Sequence, residues 1–262
     1  MDKSLQPYLM EMLGTFGLVL VSAGAVCTSY LDPAQTGSYL VGIALAQGFI
    51  LAAMLTVTVG VSGGCLNPAV TLAFWVFRRL EGAKAGGLIA SQLLGAALAG
   101  LVLRVMFKET VLVDARFGTP HLNLDAFGAE YGSPTMKILV TGVGIELLLT
   151  FLLTLAIYAT LLDPRAPQLG GLGAGLTLAA LAVFAYALTG AATNPARWFG
   201  PWIWEVPVRP EAARDHAVYW IGPTLGALLA GGVYEYLLWP GIDVEPIAAA
   251  GAEEPGAKKD KE

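Results

Sequence analysis

An Asn-Pro-Ala triplet occurs twice in this chain, each time between a long apolar run and a short one. The first copy reads Gly63-Gly64-Cys65-Leu66-Asn67-Pro68-Ala69, the second Gly190-Ala191-Ala192-Thr193-Asn194-Pro195-Ala196. Proline is favoured at the first position of a helix, where its missing N–H costs nothing. Asparagine just before it is a strong N-cap. Each triplet therefore predicts the start of a helix, and the apolar stretch behind it is too short to cross a bilayer. A second echo lies upstream. Glu11-Met12-Leu13-Gly14-Thr15-Phe16 is matched by Glu146-Leu147-Leu148-Leu149-Thr150-Phe151, with Glu, Thr and Phe at the same offsets. One Asn-Pro pair is an ordinary turn or cap signal. Two in corresponding places, each with a matched glutamate, indicate an internal repeat.

Composition decides the solvent. Of 262 residues, 56% are hydrophobic and 13% charged, whereas a soluble domain carries roughly a quarter charged residues. A span needs about 20 mostly apolar residues. Six stretches qualify: Tyr8–Leu31, Tyr39–Val61, Ala85–Phe107, Lys137–Leu161, Leu169–Leu188 and His216–Leu238. With three spans each, the two halves insert with opposite topology. Interrupted apolar segments at matching positions of two such halves point to a conduction site. Non-helical backbone at membrane depth is tolerated where it is buried or lines a watery cavity. Two half-helices entering from opposite sides would bring their N-termini together near the midplane, each with roughly half a positive charge. That is a barrier to cations and protons, while asparagine amides can still donate to a passing oxygen.

The expected organisation is an all-α membrane protein of six transmembrane helices plus two re-entrant half-helices. A tail at 1–7 precedes a first inverted repeat at 8–107, with its half-helix at 67–77. An extracellular loop at 108–136 follows, read as solvent-exposed from Asp114, Arg116, His121, Asp125 and Glu130. The second repeat covers 137–240, with its half-helix at 194–204, and a polar, disordered tail occupies 241–262. No cleavage site follows the first apolar run, which reads as an uncleaved anchor. Lysine and arginine near span ends set orientation. Lys3, Arg78, Arg79, Lys84, Arg165, Lys258, Lys259 and Lys261 fall on the side of the N-terminus. Arg104, Lys108, Arg116, Lys137, Arg209 and Arg214 fall on the other. The bias is small and favours both termini in the cytoplasm of a multi-pass protein in the plasma or inner membrane. Gly87, Ser91, Gly95 and Ala99, and then Gly222, Gly226 and Ala230, form small-residue stripes that permit tight helix crossings.

The segments Ser62–Thr71 and Thr189–Pro201 make the chain resemble the major intrinsic protein family, the aquaporins and aquaglyceroporins, over nearly all of 8–240. The resemblance implies a pore in each protomer, a homotetramer, and passage of water and small uncharged solutes with no cofactor. It places the Asn67-Pro68-Ala69 and Asn194-Pro195-Ala196 motifs in the pore. It also carries an outer selectivity filter onto Gln47, Ala182, Ala191 and Arg197. A fixed guanidinium at Arg197 would offer donors to neutral solutes and repel cations. The other three positions lack the usual aromatic or histidine, so volume alone predicts a wide filter that admits glycerol, urea or metalloid acids. Gln47 turned away from the pore as a packing amide is the competing reading. Tyr219-Trp220 instead resembles the aromatic pair of water channels. Trp198 stands where glycerol facilitators have an aspartate, and it or the long loop could fill the space the alanines leave. Cys65 sits where many members have a histidine in the inner vestibule. It reads either as a pore-facing thiol or as a buried inert one. Glu11 and Glu146 are intramembrane carboxylates and so functional candidates by default. In the family such glutamates accept hydrogen bonds from the re-entrant loops, a supporting role favoured here over a proton relay. Arg104 and Glu235 read as reaching toward the interface.

Other classes fit less well. A secondary transporter would need a coupling cluster in the span interiors, and only the paired glutamates are there. A closed structural membrane protein would show no permeability. An enzyme is not expected: His121 and His216 are the only histidines, read as solvated, with no nucleophile, metal cluster or phosphate loop beside them. Cys27 and Cys65 give no sign of a disulfide. The net charge of −5 gives no sign of a nucleic-acid partner.

Overall fold

A computed structural model describes residues 3–31, 38–128, 134–167 and 169–238. The tail at 241–262, Pro240 and Glu130 lie outside the described residues. The elements are all helical: α1 (Gln6–Ser29), α2 (Ser38–Ser62), α3 (Pro68–Val76), α4 (Gly82–Met106), α5 (Glu109–Asp114), α6 (Met136–Ile157), α7 (Leu172–Thr189), α8 (Pro195–Glu205) and α9 (His216–Val233). A wide turn, Tyr158–Leu162, extends α6, and another, Tyr234–Leu238, extends α9. Six of these helices are long and apolar enough to cross a membrane. The structure adds a turn before Ala85, where α4 begins at Gly82, and starts α7 at Leu172 rather than Leu169.

The packing repeats. α1 lies against α2 and α4, as α6 lies against α7 and α9, and α2 crosses α7 where the halves meet. Each half-helix packs on the last span of the opposite half, α3 on α9 and α8 on α4. Small residues make the crossings close. A side chain at Gly95 would run into the Met12 carbonyl, and one at Gly226 into the Leu147 carbonyl. Met12 and Leu147 each directly follow a glutamate of the repeat, so these glycines set how near the carboxylates stand to the loops. Outward faces carry large apolar side chains such as Leu94, Leu98, Val140, Leu148, Leu225 and Leu229. Lipid is the solvent that suits such a surface.

The solvent-exposed reading of 108–136 holds in part: among the described residues Asp114 and Asp125 are exposed, while Arg116 and His121 are drawn against the bundle. The stretch contains α5 and a turn at Arg116–Gly118. Leu112, Phe117 and Leu122 are buried, the first two in a cluster with Cys27. Its charges stand between apolar residues that dock it onto the bundle. Glu235 accepts a two-point ion pair from Arg79, Nε to Oε1 at 2.7 Å and Nη2 to Oε2 at 2.6 Å. That pair ties the chain after α3 to the end of α9.

Candidate functional site

The site forms where the two re-entrant loops meet. Each loop turns by the same device, three residues in the left-handed region at matched positions. These are Gly63, Gly64 and Leu66 in the first loop (φ 93°, 64°, 49°) and Gly190, Ala191 and Thr193 in the second (φ 78°, 44°, 51°). Such turns leave amides pointing inward, and inside a bilayer those amides need acceptors. The glutamates supply them. Glu11 accepts from the Ser62 hydroxyl (2.6 Å) and from the amides of Cys65 (3.0 Å) and Leu66 (2.7 Å). Glu146 accepts from the Thr189 hydroxyl (2.6 Å) and from the amides of Ala192 (3.1 Å) and Thr193 (2.8 Å). Both carboxylates are fully buried.

Asn67 and Asn194 cap the half-helices as their sequence predicts. Each side-chain oxygen accepts from the amide two residues on, Ala69 and Ala196, at 2.9 Å. Each side-chain nitrogen donates to the opposite loop, Asn67 to the Thr193 carbonyl (2.9 Å) and Asn194 to the Leu66 carbonyl (2.8 Å). A primary amide has two N–H groups. One from each asparagine knits the loops together.

Both asparagines line a narrow cavity, together with Leu18, Ser22, Gln47, Cys65 and Arg197. The centre of a water molecule can occupy about 20 Å³ of it, little more than one molecule's worth. Three of its lining residues each carry a buried polar atom without a hydrogen-bond partner, Ser22 Oγ, Gln47 Nε2 and Arg197 Nε. Buried polar atoms are rarely left unpaired. Gln47 and Arg197 of the expected filter thus meet at this cavity. Ala182 and Ala191 are buried but are not part of its wall. Cys65 is on the wall, and both cysteines are free thiols. Trp198 points elsewhere, stacked on Trp202 (4.7 Å between ring centres) and Tyr219 (5.7 Å). The Tyr219 hydroxyl donates to the Thr189 carbonyl at the start of the second loop (2.9 Å).

The long loop reaches this site. Arg197 Nη1 donates to the Gly118 carbonyl at 2.9 Å. His121, expected to be solvated, has a side chain only 6% exposed, set between Glu205 and Asp215. Sequence reasoning passed over Ser22, Gln92 and Glu205. The signal for Glu205 was present, a carboxylate ending an apolar, tryptophan-rich half-helix. No group of three or more histidine, cysteine or acidic side chains suited to a metal occurs among the described residues.

The model of the family described as Major intrinsic protein matches residues 2–234. Aquaporin TIP4-4 of Zea mays is 36% identical over 245 residues, covering 91% of this chain and 89% of that protein. Aquaporin-4 of Bos taurus is 35% identical over 241 residues, covering 90% and 68%. Among solved structures, the aquaglyceroporin from Plasmodium falciparum superposes with a TM-score of 0.75 at 20% identity, over 90% of this chain and 97% of that one. That last likeness is one of fold.

Proposed function

The chain belongs to the major intrinsic protein family, and from that premise we propose that it is a passive pore for water which excludes ions and protons. It is a multi-pass membrane channel and not an enzyme. The observation that carries the water reading is a cavity of about 20 Å³ where the two loops meet, lined by Asn67 and Asn194 together with Ser22, Gln47 and Arg197. Water entering there would accept from Asn67 and Asn194 and be turned by the positive ends of α3 and α8, which breaks a continuous proton wire. Arg197, also on the wall, would repel cations. Gln47 would share the filter with it, Ala182 and Ala191 would set its backing, and Cys65 would face the vestibule. Glu11 and Glu146 would hold the loops. A homotetramer in the plasma or inner membrane, with both termini cytoplasmic and 108–136 outside, completes the proposal. The tetramer rests on family resemblance and the orientation on lysine and arginine placement.

A glycerol, urea or metalloid-acid facilitator is the second reading. The small side chains of Ala182 and Ala191 favour it. Stopped-flow light scattering on proteoliposomes separates the two. Fast shrinkage in sucrose without glycerol re-entry supports the water pore. Fast glycerol re-entry supports the facilitator, and shrinkage no faster than in empty vesicles rejects both.

A further inference from the structure

Arg197 is anchored by a loop that is itself under strain. Arg116, Phe117 and Gly118 are three consecutive residues in the left-handed region (φ 50°, 56°, 71°). For non-glycine residues this conformation is strained, so something outside the turn must hold it. Glu205, at the end of α8 and fully buried, grips it from both sides. Its Oε1 accepts from Arg116 Nε at 3.0 Å, and its Oε2 sits 2.7 Å from His121 Nε2. The other imidazole nitrogen, Nδ1, lies 3.2 Å from Asp215 at the head of α9, and Asp215 also accepts from the Leu122 amide at 2.9 Å. Between these two grips runs the Gly118 carbonyl that holds Arg197. Gly118 is wedged so closely on α1 that a side chain there would lie 2.5 Å from the Ala23 carbonyl.

A neutral imidazole donates from one nitrogen only, and a carboxylate only accepts. An imidazole with a carboxylate at each nitrogen is therefore satisfied fully as the imidazolium. We propose that His121 is a positioning residue and pH-dependent latch: protonated between Glu205 and Asp215 it locks the strained turn so that Gly118 holds Arg197 against the wall, and deprotonated it lets Arg197 swing into the passage and slow water. This rests on the reading of the cavity as a water pore with Arg197 in its filter.

The charged groups around His121 are consistent with the latch. Burial alone would push its pKa down. The hydrogen bonds and charges of Asp215 and Glu205 outweigh that and raise it above the ordinary 6.5. On the far side of Asp215 a polar cavity carries Arg116, Arg209, Glu211 and Arg214, so Asp215 also faces guanidinium groups. Sign follows from the raised value. The latch is fully closed below the ordinary histidine pKa and opens as pH climbs through the higher one.

The test is water permeability of proteoliposomes from about pH 6 to about pH 9.5, across the histidine range, for wild type, His121→Gln and Glu205→Gln. Thermal unfolding in detergent at each pH would show that the variants remain folded. Wild type should lose roughly threefold or more of its permeability toward alkaline pH, the scale of one lost hydrogen bond. His121→Gln should be low and flat, and Glu205→Gln should shift the midpoint toward acid. Wild type that conducts water with a flat profile overturns the latch and leaves the pore standing. So does a His121→Gln variant that keeps the wild-type profile. No water permeability at any pH overturns the pore and the latch together.

Discussion

The two re-entrant loops are built alike and end differently. Both use three left-handed residues, a buried glutamate, an asparagine cap and a cross-loop amide bond. Past the caps they diverge. The first half-helix continues with Val70-Thr71, the second with Arg197-Trp198. Thr71 accepts from Gln92 Nε2 at 2.8 Å, and the same nitrogen donates to Glu11 at 2.7 Å, so α3 is braced from inside its own half. Glu146 has no matching amide among its described partners. The second half-helix is braced instead by the long loop, through Arg197 and Glu205. The first half is thus a closed scaffold, and the second exposes its bracing to a loop. The shared parts are those that burying a backbone loop in a membrane demands. The unshared parts are where selectivity and control can reside.

The largest expected effect comes from breaking what is shared. Glu11→Ala orphans two loop amides and one N–H of Gln92, while the Ser62 hydroxyl still has the Thr58 carbonyl. Glu146→Ala orphans two amides and a threonine hydroxyl. Each orphaned buried donor costs about 1–3 kcal/mol, so either change should destabilise by several kcal/mol and abolish water flux. The two thermal midpoints should fall by similar amounts, since each change leaves three buried donors unpaired. Small shifts would mean that the loops hold themselves and that the carboxylates are passengers.

Next comes a change that makes the second half resemble the first. Arg197→Val substitutes the residue of the matching position, Val70. It removes a charge from the cavity wall and leaves the Gly118 carbonyl without its donor. Water flux should persist, while proton or cation leak should rise on the order of tenfold as the electrostatic barrier falls. A pH-sensitive dye inside proteoliposomes measures it. An unchanged leak would leave exclusion to the half-helix N-termini alone.

Smaller effects should follow from exchanging Gly64 and Ala191, which occupy matched left-handed positions. Ala191 adopts φ 44° with a Cβ, where the first loop has glycine at φ 64°. Ala191→Gly should relieve strain and stabilise by about 0.5–1 kcal/mol. Gly64→Ala should destabilise by about 1 kcal/mol or more, because the new methyl would also lie 3.3 Å from Val59 Cα. Opposite signs in thermal unfolding are expected. The same sign for both would show that the loops are not equivalent at this position.

How much of this was legible in the sequence depended on whether a contact carried a residue-type signal. The half-helices start at Pro68 and Pro195 as the Asn-Pro pairs predict, because capping is local chemistry. Glu11 and Glu146 stood out because a carboxylate in an apolar run is costly unless it is used. The cross-loop bonds of Asn67 and Asn194 go to backbone carbonyls, which every residue has, so nothing in the sequence marked them. The loop 108–136 misled in part, because its charges are frequent, while Leu112, Phe117 and Leu122 are scattered among them without a period. His121 was misread for the same reason. Its partners Glu205 and Asp215 are remote in sequence and come together only when α8 and α9 pack. Ala182 and Ala191 came from distances along the chain to the motifs, and such distances do not say which way a residue faces.

The finest test of the comparison is at Cys65, whose partner in the second loop is Ala192. Both residues lie on the cavity wall. The thiol makes no contribution to the glutamate clamp, which uses the Cys65 amide rather than its side chain. Cys65→Ala should therefore make the loops more alike and leave water flux within about twofold, since it removes only the thiol's contact with Thr71 and keeps the amide bonds to Glu11. The difference should appear only with a mercurial. A metal bonded to Sγ beside a cavity of about 20 Å³ should obstruct it, so wild type should be blocked and Cys65→Ala should not. The other free thiol, Cys27, is packed with Leu112, Ala115 and Phe117 beneath the long loop and is not on the cavity wall. Cys27→Ala should thus stay sensitive. If instead Cys27→Ala abolishes the block and Cys65→Ala does not, the mercurial acts through the loop, and the route of control runs through the second half rather than the pore wall of the first.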